Sequence, residues 1–209
     1  MVKYVAVLLL LAGCAAPIPL PSADTAPDST TAVTAAPTTT GESLAESVTG
    51  CGVERWSVKT GQDAGARTVN LTPQAATVAQ LGAIPVPAGR LGDTRVGPTE
   101  ATIYRITATV TAYKTEADSD VHLALTDSTG HSMIAEIPKP SCIKASPFLT
   151  QIATSRAVWQ AAHSNSTSYV PVHQQVTITG VGFFDKLHGQ RGVAPNGIEL
   201  HPVLLIALR

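Results

Sequence analysis

The chain has 209 residues, of which 44% are hydrophobic and only 4% aromatic, and a formal net charge of -1. That length suits one ordinary domain and a tail, with a core of Val, Leu, Ile and Ala rather than of rings. Residues 51–209 hold 13 basic and 11 acidic side chains, a net of +2, which is too little positive charge to point to nucleic acid.

The first element is MVKYVAVLLLLAGCAAP. Lys3 precedes an apolar run from Val5 to Ala12, the layout of a secretory signal peptide and too short for a permanent membrane-spanning helix. The run ends in Leu11-Ala12-Gly13-Cys14, which resembles the lipobox of bacterial lipoproteins. The resemblance implies cleavage before Cys14, leaving 1–13 as signal peptide, and a diacylglyceryl group on its thiol. Ala15 follows, not the Asp that would imply inner-membrane retention in a two-membrane envelope. Two acyl chains anchor stably, at about 0.8 kcal/mol per buried methylene. The expected location is therefore the bacterial envelope, with the lipid bilayer as partner through Cys14. Residues 14–50 are rich in Ala, Thr, Ser and Pro and lack aromatic residues. Such a segment cannot bury enough surface to fold and is expected to be a tether spanning roughly 30–35 Å.

With Cys14 removed, Cys51 and Cys142 remain, an even pair in an oxidising compartment, and a disulfide between them is expected. A loop of that length implies on the order of 4–5 kcal/mol of stabilisation. Residues 51–209 then form a single domain. ERWSVKT (54–60) alternates and predicts a short strand. NLTPQAATVAQLGAI predicts a short helix, with Thr72 as N-cap, Pro73 at its first position and Gly82 as its stop. PVPAGRLGDTRVGPT is a loop. ATIYRITATVTAYK predicts a long strand, with Tyr104, Ile106, Ala108, Val110 and Ala112 on one face and Thr107, Thr109 and Thr111 on the other. DVHLALTDSTGHSMIAEIP predicts a hairpin of strands 121–126 and 132–137. Residues 146–163 predict the best helix, with Ser146 as N-cap and an apolar stripe of Phe148, Ile152, Val158 and Trp159. QVTITGVGFFD and GIELHPVLLIAL predict two closing strands, and Pro202 places the last one at a sheet edge or barrel rim.

This order of strands and helix over 101–207 resembles the OB-fold, a five-stranded Greek-key barrel. The fold class is thus mainly β with one or two helices, OB-like, with residues 51–100 as a cover segment; a small β-sandwich is the alternative. The segments ERWSVKT, DSDVHLAL and GVGFFD…HGQ.GVAPNGIELHPVL also resemble a group of secreted bacterial proteins without assigned activity. That resemblance implies one domain unit and no function.

Three clusters carry candidate chemistry. Asp118, Asp120 and His122 stand at alternate positions, roughly 6.5–7 Å apart along one face if extended. Glu199 and His201 share a face of the last strand. Asp185, His188, Gln190 and Arg191 lie in the loop before it, where Arg191 is placed to hold Asp185, Glu199 or an anionic ligand. In an OB-like barrel the third strand pairs with the fifth, which brings Glu136 to Glu199 or His201. Carboxylates with imidazoles suit a divalent ion such as zinc, manganese or iron. The expectations are therefore an anchored lipoprotein with a ligand- or partner-binding β-domain, or a metal-dependent, nuclease-like hydrolase with Glu136 or Glu199 as general base, or a structural envelope module. Polar residues that simply face water on a half-exposed strand explain each pair taken alone better; it is the presence of three such clusters in one domain that raises the site reading.

Overall fold

The computed structural model describes residues 50–209; the expected signal peptide, Cys14 and the expected tether to residue 49 lie outside them. Six strands, β1 (Asn70–Ala75), β2 (Thr102–Thr115), β3 (Val121–Thr126), β4 (Ser132–Ile137), β5 (Val170–Phe184) and β6 (Ile198–Leu208), form one mixed sheet. Three α-helices accompany them among these residues: α1 (Trp56–Lys59), α2 (Val78–Gly82) and α3 (Leu149–Ala162). The strand order is β1-β2-β3-β4-β6-β5, and β5 pairs again with β2. The β1–β2 and β4–β6 pairings are parallel and the others antiparallel. All strands belong to one sheet, so the two-sheet sandwich is not the arrangement seen.

The alternation of Thr with branched residues makes β2 a strand with one buried face. Ile106, Ala108 and Val110 are buried, whereas Thr107 is exposed and Thr109 and Thr111 are half-buried. The β3–β4 hairpin turns on Asp127, whose carboxylate accepts from the backbone N–H of Thr129 and His131, and on Gly130 at φ +87°. Leu123, Leu125, Met133, Ile178 and Val203 join Phe148, Ile152 and Trp159 of the helical segment in the main apolar cluster. Each such burial contributes about 1.5–3 kcal/mol before entropy is counted.

Several local expectations change. Residues 54–60 are not a strand. A single helical turn forms instead, with Lys59 N–H donating to the Arg55 carbonyl and Thr60 Oγ1 donating to that of Trp56. Over so short a stretch, alternation and one helical turn bury the same Val58. The expected helix over 70–84 splits. Pro73 sits in the exposed edge strand β1, which lacks need of its missing donor, and Thr77 rather than Thr72 caps α2 through a capping box with Gln80. The segment 51–100 thus covers the domain and also contributes a strand to the sheet. Helix α3 begins at Leu149, with Ser146 Oγ accepting from Phe148 N–H, and Val158 faces outward. Buried Ser155 and Arg156 take its inner face instead. Pro202 is buried at a register shift between β5 and β6, not at an edge; the bulge removes the need for its donor. Cys51 and Cys142 are disulfide-bonded, with Cα atoms 5.6 Å apart.

Candidate functional site

The side chains that bear chemistry gather on the face of β3, β4 and β6 away from the main apolar cluster. Period-2 geometry puts them there: Leu123, Ala135 and Leu200 point into that cluster, and His122, Glu136, Glu199 and His201 point out of it. His122 and Glu136 are direct cross-strand partners. The parallel β4–β6 register sets Ile134 against Glu199 and Ala135 against Leu200, which carries Glu136 alongside His201. The expected convergence of third and last strands therefore occurs. This outward face is nonetheless closed over: Asp120, His122 and His201 are 0% exposed, Glu199 2% and Glu136 5%.

Glu136 is the centre. Its Oε1 lies 2.9 Å from His122 Nδ1 and its Oε2 lies 3.2 Å from His201 Nδ1. His122 Nε2 lies 2.9 Å from the carbonyl of Arg191, which can only accept, so this nitrogen carries a proton and Nδ1 is directed at carboxylates. Glu116 Oε1 stands 3.3 Å from the same Nδ1. His201 Nδ1 lies 3.1 Å from Glu199 Oε1, and its Nε2 is 3.4 Å from Asp120 Oδ2. That last approach is within ion-pair range, yet neither atom has hydrogen-bond geometry to any partner.

Burial alone would lower both imidazoles, but the carboxylates outweigh it. Hydrogen bonds to Glu116 and Glu136 push His122 up to about 11, and the neighbouring carboxylates of Asp120, Glu136 and Glu199 hold His201 well above its ordinary range. Burial would raise Glu136, yet hydrogen bonds from His122 and His201 hold it well below the usual carboxylate range. Burial raises Glu199 to about 8, aided by the charges of Glu136 and Asp185, and raises Asp118 to about 7, aided by Asp120 and Glu136. Lys59, from α1, stays protonated: burial opposes its charge, but Asp185, 3.7 Å away, and then Glu136, Glu199 and Asp118 outweigh it.

The raised groups, Asp118, Glu199 and His122, act with one sign across the neutral range. A folded pKa above the unfolded value contributes stability that is full below the unfolded pKa and lost as pH rises through the folded one. The windows run from the ordinary carboxyl range to about 7 for Asp118 and about 8 for Glu199, and from the ordinary imidazole range to about 11 for His122. Metal-free protein is therefore expected to melt at a higher temperature at pH 5 than at pH 8.5. A calorimetric Tm that rises over that interval contradicts this charge arrangement.

Not every expected residue joins. Residues 116–120 form a turn, with Glu116 N–H donating to the Asp120 carbonyl and Ser119 at φ +71°, so Asp118, Asp120 and His122 are not one extended row. Asp118 Oδ1 accepts from Asp120 N–H, which is turn chemistry. His188 is 64% exposed and reaches only Asp185. Asp185 bonds Gln190 and pairs with Lys59, touching the cluster through charge. Arg191 holds neither Asp185 nor Glu199; its side chain lies over the Tyr169 ring, 5.3 Å from the centroid, and only its carbonyl serves His122. That carbonyl arrives because Gly192, at φ +88°, lets the loop pass so close to Ala124 that a Cβ would sit 2.8 Å from it. Glu116, Lys59 and Tyr169 were not foreseen. Glu116 had a signal, since Glu116, Asp118, Asp120 and His122 occupy every second position; Lys59 and Tyr169 had none.

A separate groove of about 910 Å3, lined by Arg105, Thr107, Thr109, His173 and Arg209 among others, contains no residue of the cluster. No protein family, curated protein or solved structure matches the chain, so the site stands on its own geometry.

Proposed function

We propose that the chain is a lipid-anchored protein of the bacterial envelope whose β-domain, an OB-like five-stranded barrel, binds a divalent transition-metal ion at Glu116, His122 and Glu136. The barrel reading is supported by the succession β2-β3-β4-β6-β5, which returns to β2, and by the parallel β4–β6 pair. One observation carries the metal reading. His122 is fixed by the Arg191 carbonyl so that Nδ1 points at two carboxylates from different elements. Metal-ligating histidines are oriented in this way by a carbonyl on the second nitrogen. Each of the three residues offers an atom within 4.8 Å of the others. One imidazole with two carboxylates suits zinc, manganese or iron(II). Glu116 is 27% exposed and gives the ion its route from solvent.

The hydrolase reading finds less support. Glu136 and Glu199, its candidate bases, are buried and already engaged by imidazoles. Binding itself is the function the geometry favours.

Two measurements test the proposal. Adding zinc or manganese to the metal-free chain is expected to raise its Tm by several degrees, and His122→Ala with Glu116→Gln is expected to reduce the shift. No shift in the wild-type chain overturns the metal reading. The anchor is tested separately: Cys14→Ala is expected to move the protein from the membrane to the soluble fraction, and unchanged fractionation contradicts lipidation at Cys14.

A further inference from the structure

We infer that Glu136 bridges two divalent ions, the second held by Asp120 and His201 deeper in the domain. The inference rests on the His122 site and extends it. Its own support is a pair of orphaned atoms. Asp120 Oδ1 accepts from Lys139 N–H, but Asp120 Oδ2 and His201 Nε2 are buried without a hydrogen-bond partner among the described residues. Both residues are 0% exposed. Buried polar atoms without a hydrogen bond are costly and uncommon, so the pair calls for an occupant.

The spacing says which occupant. The two atoms are 3.4 Å apart. Groups bridged by a water stand about 4.5–5.5 Å apart, so a water does not fit between them. Two ligands of a tetrahedral ion, each about 2.1 Å from the metal, stand about 3.4 Å apart, and neither lies along the other's donor axis. That is the distance and misalignment observed. The other nitrogen of His201 is held by Glu199 Oε1 at 3.1 Å, the same orienting arrangement that His122 has from Arg191. Glu136 completes the set, since Asp120, Glu136 and His201 each offer an atom within 4.8 Å of the others. Its Oε1 lies by His122 Nδ1 and its Oε2 by His201 Nδ1, so one carboxylate stands between the two imidazoles. Glu199 serves as the orienting group, not as a ligand.

Manganese(II) reports both stoichiometry and proximity. The full chain, stripped with a chelator and reloaded, is expected to bind two manganese ions and to give an exchange-coupled electron paramagnetic resonance spectrum. His201→Asn and, separately, Asp120→Asn are expected to lower bound manganese from two ions to one and to leave the six-line signal of an isolated ion. A wild-type chain with one ion and an uncoupled signal overturns the bridge while leaving the His122 site in place. Absence of bound manganese overturns both. Coupling that survives in His201→Asn assigns the second ion elsewhere and overturns this ligand set. The wild-type spectrum needs no variant, so a folding defect in either substitution does not blunt the test.

Discussion

Replacing Arg55 by Ala is expected to destabilise the domain by about 3–5 kcal/mol, the cost of stranding one partner of a buried ion pair. Arg55 is 4% exposed and Glu100 0%. The guanidinium donates from Nη1 and Nη2 to the two oxygens of Glu100 at 2.8 Å each. Its other N–H groups reach the carbonyls of Gly92, Thr94 and Phe184, so all five donors are used. Glu100 also accepts from the backbone N–H of Val96 and Phe184. One residue of the covering segment thus ties the loop 92–94, the start of β2 and the end of β5. Arg55 also lies over the Phe183 ring at 4.6 Å, and Phe183 is the cross-strand partner of Glu199. Removing it uncovers one wall of the site. Urea unfolding measures the effect. A loss below about 1 kcal/mol contradicts the account, and Arg55→Met with Glu100→Leu is expected to recover most of what Arg55→Ala loses.

Reducing the Cys51–Cys142 disulfide, or replacing both residues by Ser, is expected to cost about 4–5 kcal/mol, because it frees a loop whose ends are 91 residues apart. For a domain of this size that corresponds to a fall in Tm of about 10–18 °C. The bond pins the start of the described domain to the turn after β4, the strand that carries Glu136. A fall under about 3 °C shows that Arg55 and the sheet hold the covering segment without it.

How much of this was legible follows from how local each determinant is. The β3–β4 hairpin announces itself because Asp127, Thr129 and Gly130 encode the turn and flank two apolar runs of matching length. The convergence of His122, Glu136, Glu199 and His201 was legible once strand order was in hand, since pairing and alternation fix which residues meet. Residues 54–60 were misread because Arg55 and Lys59 are placed by tertiary partners 45 and 126 positions away, Glu100 and Asp185, which no periodicity encodes. The loop 185–197 looked like a site because it is polar. Its Asn196 instead donates to the carbonyls of Leu81 and Ile84, and its contribution to the cluster is the backbone of Arg191. The orphaned atoms of Asp120 and His201 exist only in three dimensions.

The most direct measurement is elemental analysis of the full chain after zinc loading and gel filtration, alongside Glu136→Gln. Zinc retained in stoichiometric amount by the wild type and lost from Glu136→Gln is the predicted result. Zinc absent from the wild type, or equal in both proteins, contradicts a metal centre built on Glu136.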